Sequence, residues 1–274
     1  MKISLGYSPC PNDTFIFYAL SHDKLDHDFE FEVTLSDVET LNRMALIKKL
    51  DITKASFHGF GLVMDEYCLL RSGSAFGRGC GPLIVAKRPM DPNELYSKRI
   101  AIPGKMTTSY LLLLLFMPDV KNIIEMPFNK IMNAVSMGTV DAGLIIHESR
   151  FTYPQYGLVK LVDLGEWWEE KTGLPIPLGG ILARRELGVP VINKIDALIR
   201  QSIEYAFRHP GQTREYIKKN AQELDDEVID QHIKLYVNDF SIDIGGGVAA
   251  VEELMKTAQE LDIIPVSSKP IFID

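Results

Sequence analysis

The sequence is short of positive charge, sparing with cysteine and free of long apolar runs, and each shortage removes a class of function. Lys plus Arg total 29 against 37 for Asp plus Glu, a formal net charge of −8. Proteins that hold nucleic acid concentrate Lys and Arg to displace counterions from phosphates, so this balance argues against nucleic acid as a partner. The three cysteines, Cys10, Cys68 and Cys80, cannot all pair, and no two have zinc-ligand spacing. The expectation is a reducing compartment and no bound metal. The most lipid-like stretch, Tyr110 to Met117, falls far short of the ~20 residues needed to span a bilayer. The opening "MKISLGYSPCPNDTF" lacks the apolar segment of a secretory signal and meets two prolines at once. A cytoplasmic protein with no membrane contact is expected. Internal repeats and low-complexity tracts are also lacking.

What is present is an alternation of strand-like and helix-like patterns, the signature of an α/β fold. A chain of 274 residues allows one large or two medium domains. Lys2 to Ser8 reads as a strand broken by "PCPND", with Asn12 or Asp13 available to cap the helix that follows. "FEFEVTL" places Phe29, Phe31, Val33 and Leu35 on one face of a half-buried strand, and Ser36 and Glu39 have capping-box spacing ahead of another helix. "ITKASF" is a short strand. "RPMDPNEL" and "PLGGILARRE" read as two crossings that flank a compact βαβαβ unit. The chain is therefore expected to form a discontinuous lobe from residues 1–88 plus 178–274 and an inserted lobe from 89–177, hinged about a ligand cleft. From Ile192 the pattern is almost entirely helical, and "PVSSKPIFID" can dock as a terminal strip.

In open α/β sheets, ligands bind beyond the C-terminal ends of strands. That rule selects four places here. The first is the loop after Ser8, where Asn12 and Asp13 either line a cleft or cap a helix. The second is the end of "ITKAS", with Lys54, Ala55 and Ser56; a lysine there can meet a carboxylate or lie on the solvated surface. The third is "PGKMTTS", where Thr107, Thr108 and Ser109 open an apolar helix. Free amides and the helix dipole make such a start ready for an anion, although Thr107 as a plain N-cap explains part of it. The fourth is His147, at the end of the apolar run in "AGLIIHESRF". Its unperturbed pKa lies near neutrality, so it is either a polar strand cap or a group that moves a proton. His22, His27, His209 and His232 read as helix or loop surface without ligand spacing, and His58 is the other histidine with access to a cleft. "GFGRGCG" lacks dinucleotide-fingerprint spacing and reads as a close-packed turn or hinge. Cys10 has no histidine near it in sequence, and Trp167 and Trp168 read as packing residues.

Several stretches together resemble the 1,4-dihydroxy-6-naphthoate synthase family of the futalosine route to menaquinone: "SPCPNDTF", "DVETLN", "PLIVAKR", "PGKMTTSYLLLL", "AGLIIHESRFTYPQYGL" and "GEWWEEKTGLPIPLGGILARR". The likeness spans nearly the whole chain. It implies a two-lobed fold like that of type II periplasmic binding proteins, put to use as an enzyme without metal or organic cofactor. The implied substrate is cyclic dehypoxanthinyl futalosine, a carboxylated ring system cleaved by a carbon–carbon lyase reaction. The family's proposed base matches His147, and its substrate-contact segments match Lys54 to Ser56 and Thr107 to Ser109. Cys80 departs from the valine expected there, which suits a packing thiol better than a reacting one. Two rival readings share the fold: a solute-binding protein for a small carboxylate, and a chorismate dehydratase. "HESRFTYP" speaks against the second. A homodimer is compatible with either enzyme reading.

Overall fold

A computed structural model describes residues 1–221 and 225–273. The chain divides into two compact units, Met1–Gly77 with Pro177–Asp274, and Arg78–Ile176. In chain order the first unit opens with β1 (Lys2–Tyr7), α1 (Pro11–Ser21), β2 (Glu30–Leu35), α2 (Val38–Leu46), β3 (Ile52–Ser56), α3 (Phe57–Gly61), β4 (Tyr67–Leu69) and β5 (Ala75–Gly77). The second unit holds β6 (Leu83–Ala86), β7 (Ile100–Ile102), α4 (Thr108–Phe116), β8 (Ile123–Glu125), α5 (Phe128–Met137), β9 (Ala142–Ile145), α6 (Ser149–Thr152), β10 (Val159–Asp163) and α7 (Leu164–Thr172). Then β11 (Ile176–Arg184) leads back, followed by α8 (Val189–Arg208), α9 (Pro210–Asn220), α10 (Asp226–Tyr236), α11 (Asp239–Ile242) and α12 (Val248–Glu260).

The first unit is built on a mixed sheet in the order β2-β1-β3-β11-β4, with β5 also paired to β11. β1 runs parallel to β2 and β3, whereas β11 is antiparallel to β3 and β4. Every residue of β3 is buried, as expected of a central strand covered on both faces. α1 is buried from Pro11 to Leu20 because α8, α9 and α10 all pack on it, so its sequence is apolar nearly all round. β2 is an edge strand. Phe29 and Phe31 reach the core, but Val33 and Leu35 remain 38% and 37% exposed, so the half-buried face expected from the alternation covers only the strand's first half. The C-terminal segment docks on β4, where the Leu69 amide donates to the Ile271 carbonyl at 2.8 Å.

The second unit has its own mixed sheet in the order β10-β6-β9-β7-β8. β9 lies parallel to β7 and antiparallel to β6, which in turn is antiparallel to β10. Its core gathers Leu83, Val85, Ala101, Ile131, Val135 and Ile145. The expected first boundary, at 88/89, therefore moves: β6 lies among this unit's strands, and the division falls at Gly77/Arg78. β6 reads as a continuation of the preceding extended segments because its partners β9 and β10 are remote in sequence. No described helix is long and apolar enough to cross a membrane.

Two expected caps are also corrected. Cys10, not Asn12 or Asp13, is the N-cap of α1, and Pro11 takes the first helical position, where a missing N–H costs nothing. For α2 the cap is Asp37 rather than Ser36, its carboxylate accepting from the Thr40 amide at 3.0 Å. The "GRGCG" turn is tight where its last glycine meets α7. A β-carbon on Gly81 would collide with the Gly165 backbone. Gly81→Ala is accordingly expected to destabilise the protein by about 1–3 kcal/mol, the usual range for overpacking, seen as a lower thermal midpoint.

Candidate active site

In the second unit, β7 runs into Pro103 and Gly104, and Thr107 caps α4. The Thr107 hydroxyl donates to the Gly104 carbonyl at 2.8 Å and accepts from the Tyr110 amide at 3.2 Å. Its oxygen lies 2.8 Å from the Ser109 hydroxyl, which must then be the donor of that pair. Thr107, Thr108 and Ser109 are all buried. The cap reading of Thr107 is thus met in full, and its hydroxyl hydrogen is committed to holding the turn. Thr108 takes the first helical position, beside the amides of the helix start.

His147 stands two residues past the end of β9. Its backbone adopts φ 57°, the left-handed region that side chains other than glycine seldom enter. The turn sends Glu148 into helical geometry and opens α6. The strict alternation of a strand, which would place Glu148 opposite His147, therefore does not apply. A ring nitrogen of His147 and a carboxylate oxygen of Glu148 lie within 4.8 Å of each other. The imidazole packs on Phe128 with 5.1 Å between ring centroids, and the residue is half-buried. Beyond it, the Arg150 guanidinium donates to Asp163 at 2.7 Å and to the Gly81 carbonyl at 2.5 Å. Asp163 in turn caps α7 through the Gly165 and Glu166 amides. Arg150 therefore ties the segment after His147 to the "GRGCG" turn and to α7.

In the first unit the ends of β1 and β3 meet around a buried carboxylate. Asp13 accepts from the Ser8 amide at 3.2 Å, the Ser8 hydroxyl at 2.7 Å and the Asn12 side-chain amide at 2.9 Å. Lys54 Nζ lies 3.2 Å from the oxygen that Asn12 also meets, while both Ser8 groups take the other oxygen, and it donates to the Gly73 carbonyl at 3.1 Å. Lysine has three N–H donors, and among the described residues these contacts use two. Both side chains are almost wholly buried, at 6% and 2% exposure, so Lys54 is no solvated surface residue. Ser56 is held by Asn42, which donates to its hydroxyl at 3.2 Å and accepts from its amide at 2.9 Å. Ala55 lies between them, 1% exposed.

Reading from the sequence alone passed over His232. It is not on the surface: it is 1% exposed, and its Nε2 lies 2.9 Å from Asn12 Oδ1. The signal was available, because Ile229, His232, Ile233 and Tyr236 follow helical spacing and place the histidine on the apolar stripe of α10. His58 is buried within α3, while His22 and His209 are exposed. Burial pushes the Cys80 thiol up to about 12 and the Cys68 thiol up to about 11, which suits packing groups rather than nucleophiles. Trp168 is buried with its ring N–H on the Pro175 carbonyl at 3.2 Å, and Trp167 packs edge-on to Phe116.

Comparison with known proteins decides the family. The menaquinone biosynthesis family matches residues 3–260. The chain belongs to it. Two curated relatives of this menaquinone biosynthesis family, both called 1,4-dihydroxy-6-naphthoate synthase, match almost end to end. The Thermus thermophilus protein is 50% identical over 99% of both chains, and the Streptomyces coelicolor protein is 45% identical over 96% of this chain and 95% of its own. Among solved structures, an Archaeoglobus fulgidus protein is 39% identical with a TM-score of 0.91, covering 96% of this chain and 98% of its own. A Candida albicans protein with the generic periplasmic binding protein fold is 15% identical with a TM-score of 0.67, covering 98% of this chain and 92% of its own. The fold of this family member is that α/β fold, with its two mixed sheets.

Proposed function

We propose that the chain converts cyclic dehypoxanthinyl futalosine to 1,4-dihydroxy-6-naphthoate by a carbon–carbon lyase reaction in which His147 is the general base. The observation that carries this reading is the backbone at His147. A left-handed conformation at a residue other than glycine costs about 1–2 kcal/mol and persists only where the surroundings impose it. Here it turns an imidazole out of a buried strand, braces it on Phe128 and sets Glu148 beside it. A neutral imidazole near pH 7 is matched to taking a proton from carbon or oxygen and returning it to the departing fragment. The Glu148 carboxylate favours the charged ring once the proton has been taken. Aromatisation of the product supplies driving force that the protein need not provide.

The acid group of a small bicyclic substrate requires donors. We assign that work in the second unit to the amides at the start of α4 with Thr108, Ser109 holding Thr107 in place beside them, and name Lys54 to Ser56 of the first unit, with Asn12 and Asp13 behind them, as a further set of polar groups for the substrate. Lys54 can direct its remaining N–H at a carboxylate, while Asp13 holds the ammonium in place. The reading is tested by mixing protein with substrate and following the naphthoate chromophore. Substrate recovered intact from a stable complex would instead mark a binding protein.

The two threonines separate cap from contact. Thr107→Val should lower stability by about 1 kcal/mol, the typical loss of a cap, in a denaturant titration. Thr108→Val should raise the substrate's dissociation constant several-fold. Unchanged affinity would return Thr108 to a purely architectural part.

A further inference from the structure

We infer that His232 is a positioning residue, holding the Asn12 amide so that Asp13 and Lys54 keep their mutual geometry. The inference rests on the proposal above that this cluster serves the substrate. The hydrogen-bond inventory fixes the direction of each link. The Asp13 carboxylate, ringed by the Ser8 amide, the Ser8 hydroxyl and the Lys54 ammonium, can only accept. Asn12 must therefore turn its NH2 toward Asp13, at 2.9 Å, and its carbonyl oxygen away. That oxygen lies 2.9 Å from His232 Nε2, so the imidazole must carry its proton on Nε2 and donate. The chain of donors runs from His232 through Asn12 to Asp13, where it meets Lys54.

The location argues that this link is retained for more than packing. His232 is 1% exposed and packs tilted against Tyr236, 4.7 Å between ring centroids, on a stripe otherwise made by Ile229, Ile233 and Tyr236. A leucine would fill the same face of α10 with no polar group to satisfy. Asn12 does not cap α1; its side chain instead bridges His232 and Asp13. Without the imidazole the amide can rotate and present its oxygen to the Asp13 carboxylate, which repels it and loosens the oxygen shared with Lys54.

Four variants test the link: His232→Leu, His232→Gln, Asn12→Ala and the double variant Asn12→Ala with His232→Leu. His232→Leu should lower kcat/KM about tenfold, mostly through KM, with an unchanged circular dichroism spectrum. His232→Gln, whose amide can donate in place of Nε2, should recover to within about threefold of wild type. In the Asn12→Ala background, His232→Leu should change kcat/KM by less than about twofold, because the histidine acts through that amide. Nitrogen-15 spectra of the substrate-free protein, labelled on histidine, should show a protected Nε2–H on His232 that exchanges at least tenfold faster in Asn12→Ala. Additive losses in the double variant, wild-type kinetics in His232→Leu, or a proton on Nδ1 would each overturn the inference. If the wild-type protein forms no naphthoate, the proposed function falls, and the exchange measurement alone then decides the His232 link. An exchange rate indifferent to Asn12→Ala ends it.

Discussion

His147→Ala is expected to lower turnover at least about a hundredfold while the substrate still binds, because removing a general base typically costs 10²–10⁴-fold in rate. The split between kcat and KM is the informative part. Alanine relieves the ring of its contact with Phe128 and frees the turn, but it leaves Thr108, Ser109 and the Lys54 cluster untouched. A loss confined to kcat marks an interaction made in the transition state. Stopped-flow binding and steady-state rates on the same preparation measure both quantities, and turnover near that of wild type would end the assignment. His147→Asn, which accepts left-handed backbone almost as readily as any residue but cannot serve as a base, should be as slow as alanine. Agreement between the two separates loss of the base from collapse of the turn.

Lys54→Met should have the larger effect on stability. It leaves the Asp13 carboxylate buried with hydrogen bonds but no counter-charge, and removing one partner of such a pair costs about 3–5 kcal/mol. For a protein of this size that is a fall in melting midpoint of roughly 10 °C. Adding Asp13→Asn removes the stranded charge, so the double variant should regain part of the loss although it has fewer ionic contacts. Scanning calorimetry on the three variants reads the coupling directly. A single Lys54→Met variant that melts like wild type would show that Asp13 draws its stability from Ser8 and Asn12 alone. Substrate affinity should fall in the single and the double variant alike, since both lack the ammonium.

Much of the fold was legible because periodicity declares element types. The alternation of strands and helices announced the α/β class, "IAI" and "AGLI" stood out as short apolar runs, and "ITKAS" read as a short strand. Pairing was harder. β6 sits between β9 and β10, partners that lie more than fifty residues along the chain, so nothing local marked Leu83–Ala86 as part of the second unit. Caps failed for a different reason: several side chains near a helix start can accept an amide, and only backbone geometry chooses Cys10 over Asn12 or Asp37 over Ser36. For the candidate site, the strand-end rule located loops, not the roles of side chains within them. It could not foresee that Thr107 spends its hydroxyl on Gly104, that Glu148 leaves strand geometry, or that Asn12 reaches a histidine 220 positions away. The last contact arises from the packing of α10 on α1, which a one-dimensional reading does not contain.

The position of β11 has a consequence for biogenesis. It is the strand between β3 and β4 and the one to which β5 also pairs, yet it follows the whole second unit in the chain. As the polypeptide leaves the ribosome, Arg78–Ile176 is complete and able to collapse by itself while β3 and β4 still wait for the strand that joins them. During that interval an apolar sheet margin is open to any passing extended peptide, so the nascent protein is at its most vulnerable just before residues 176–184 emerge.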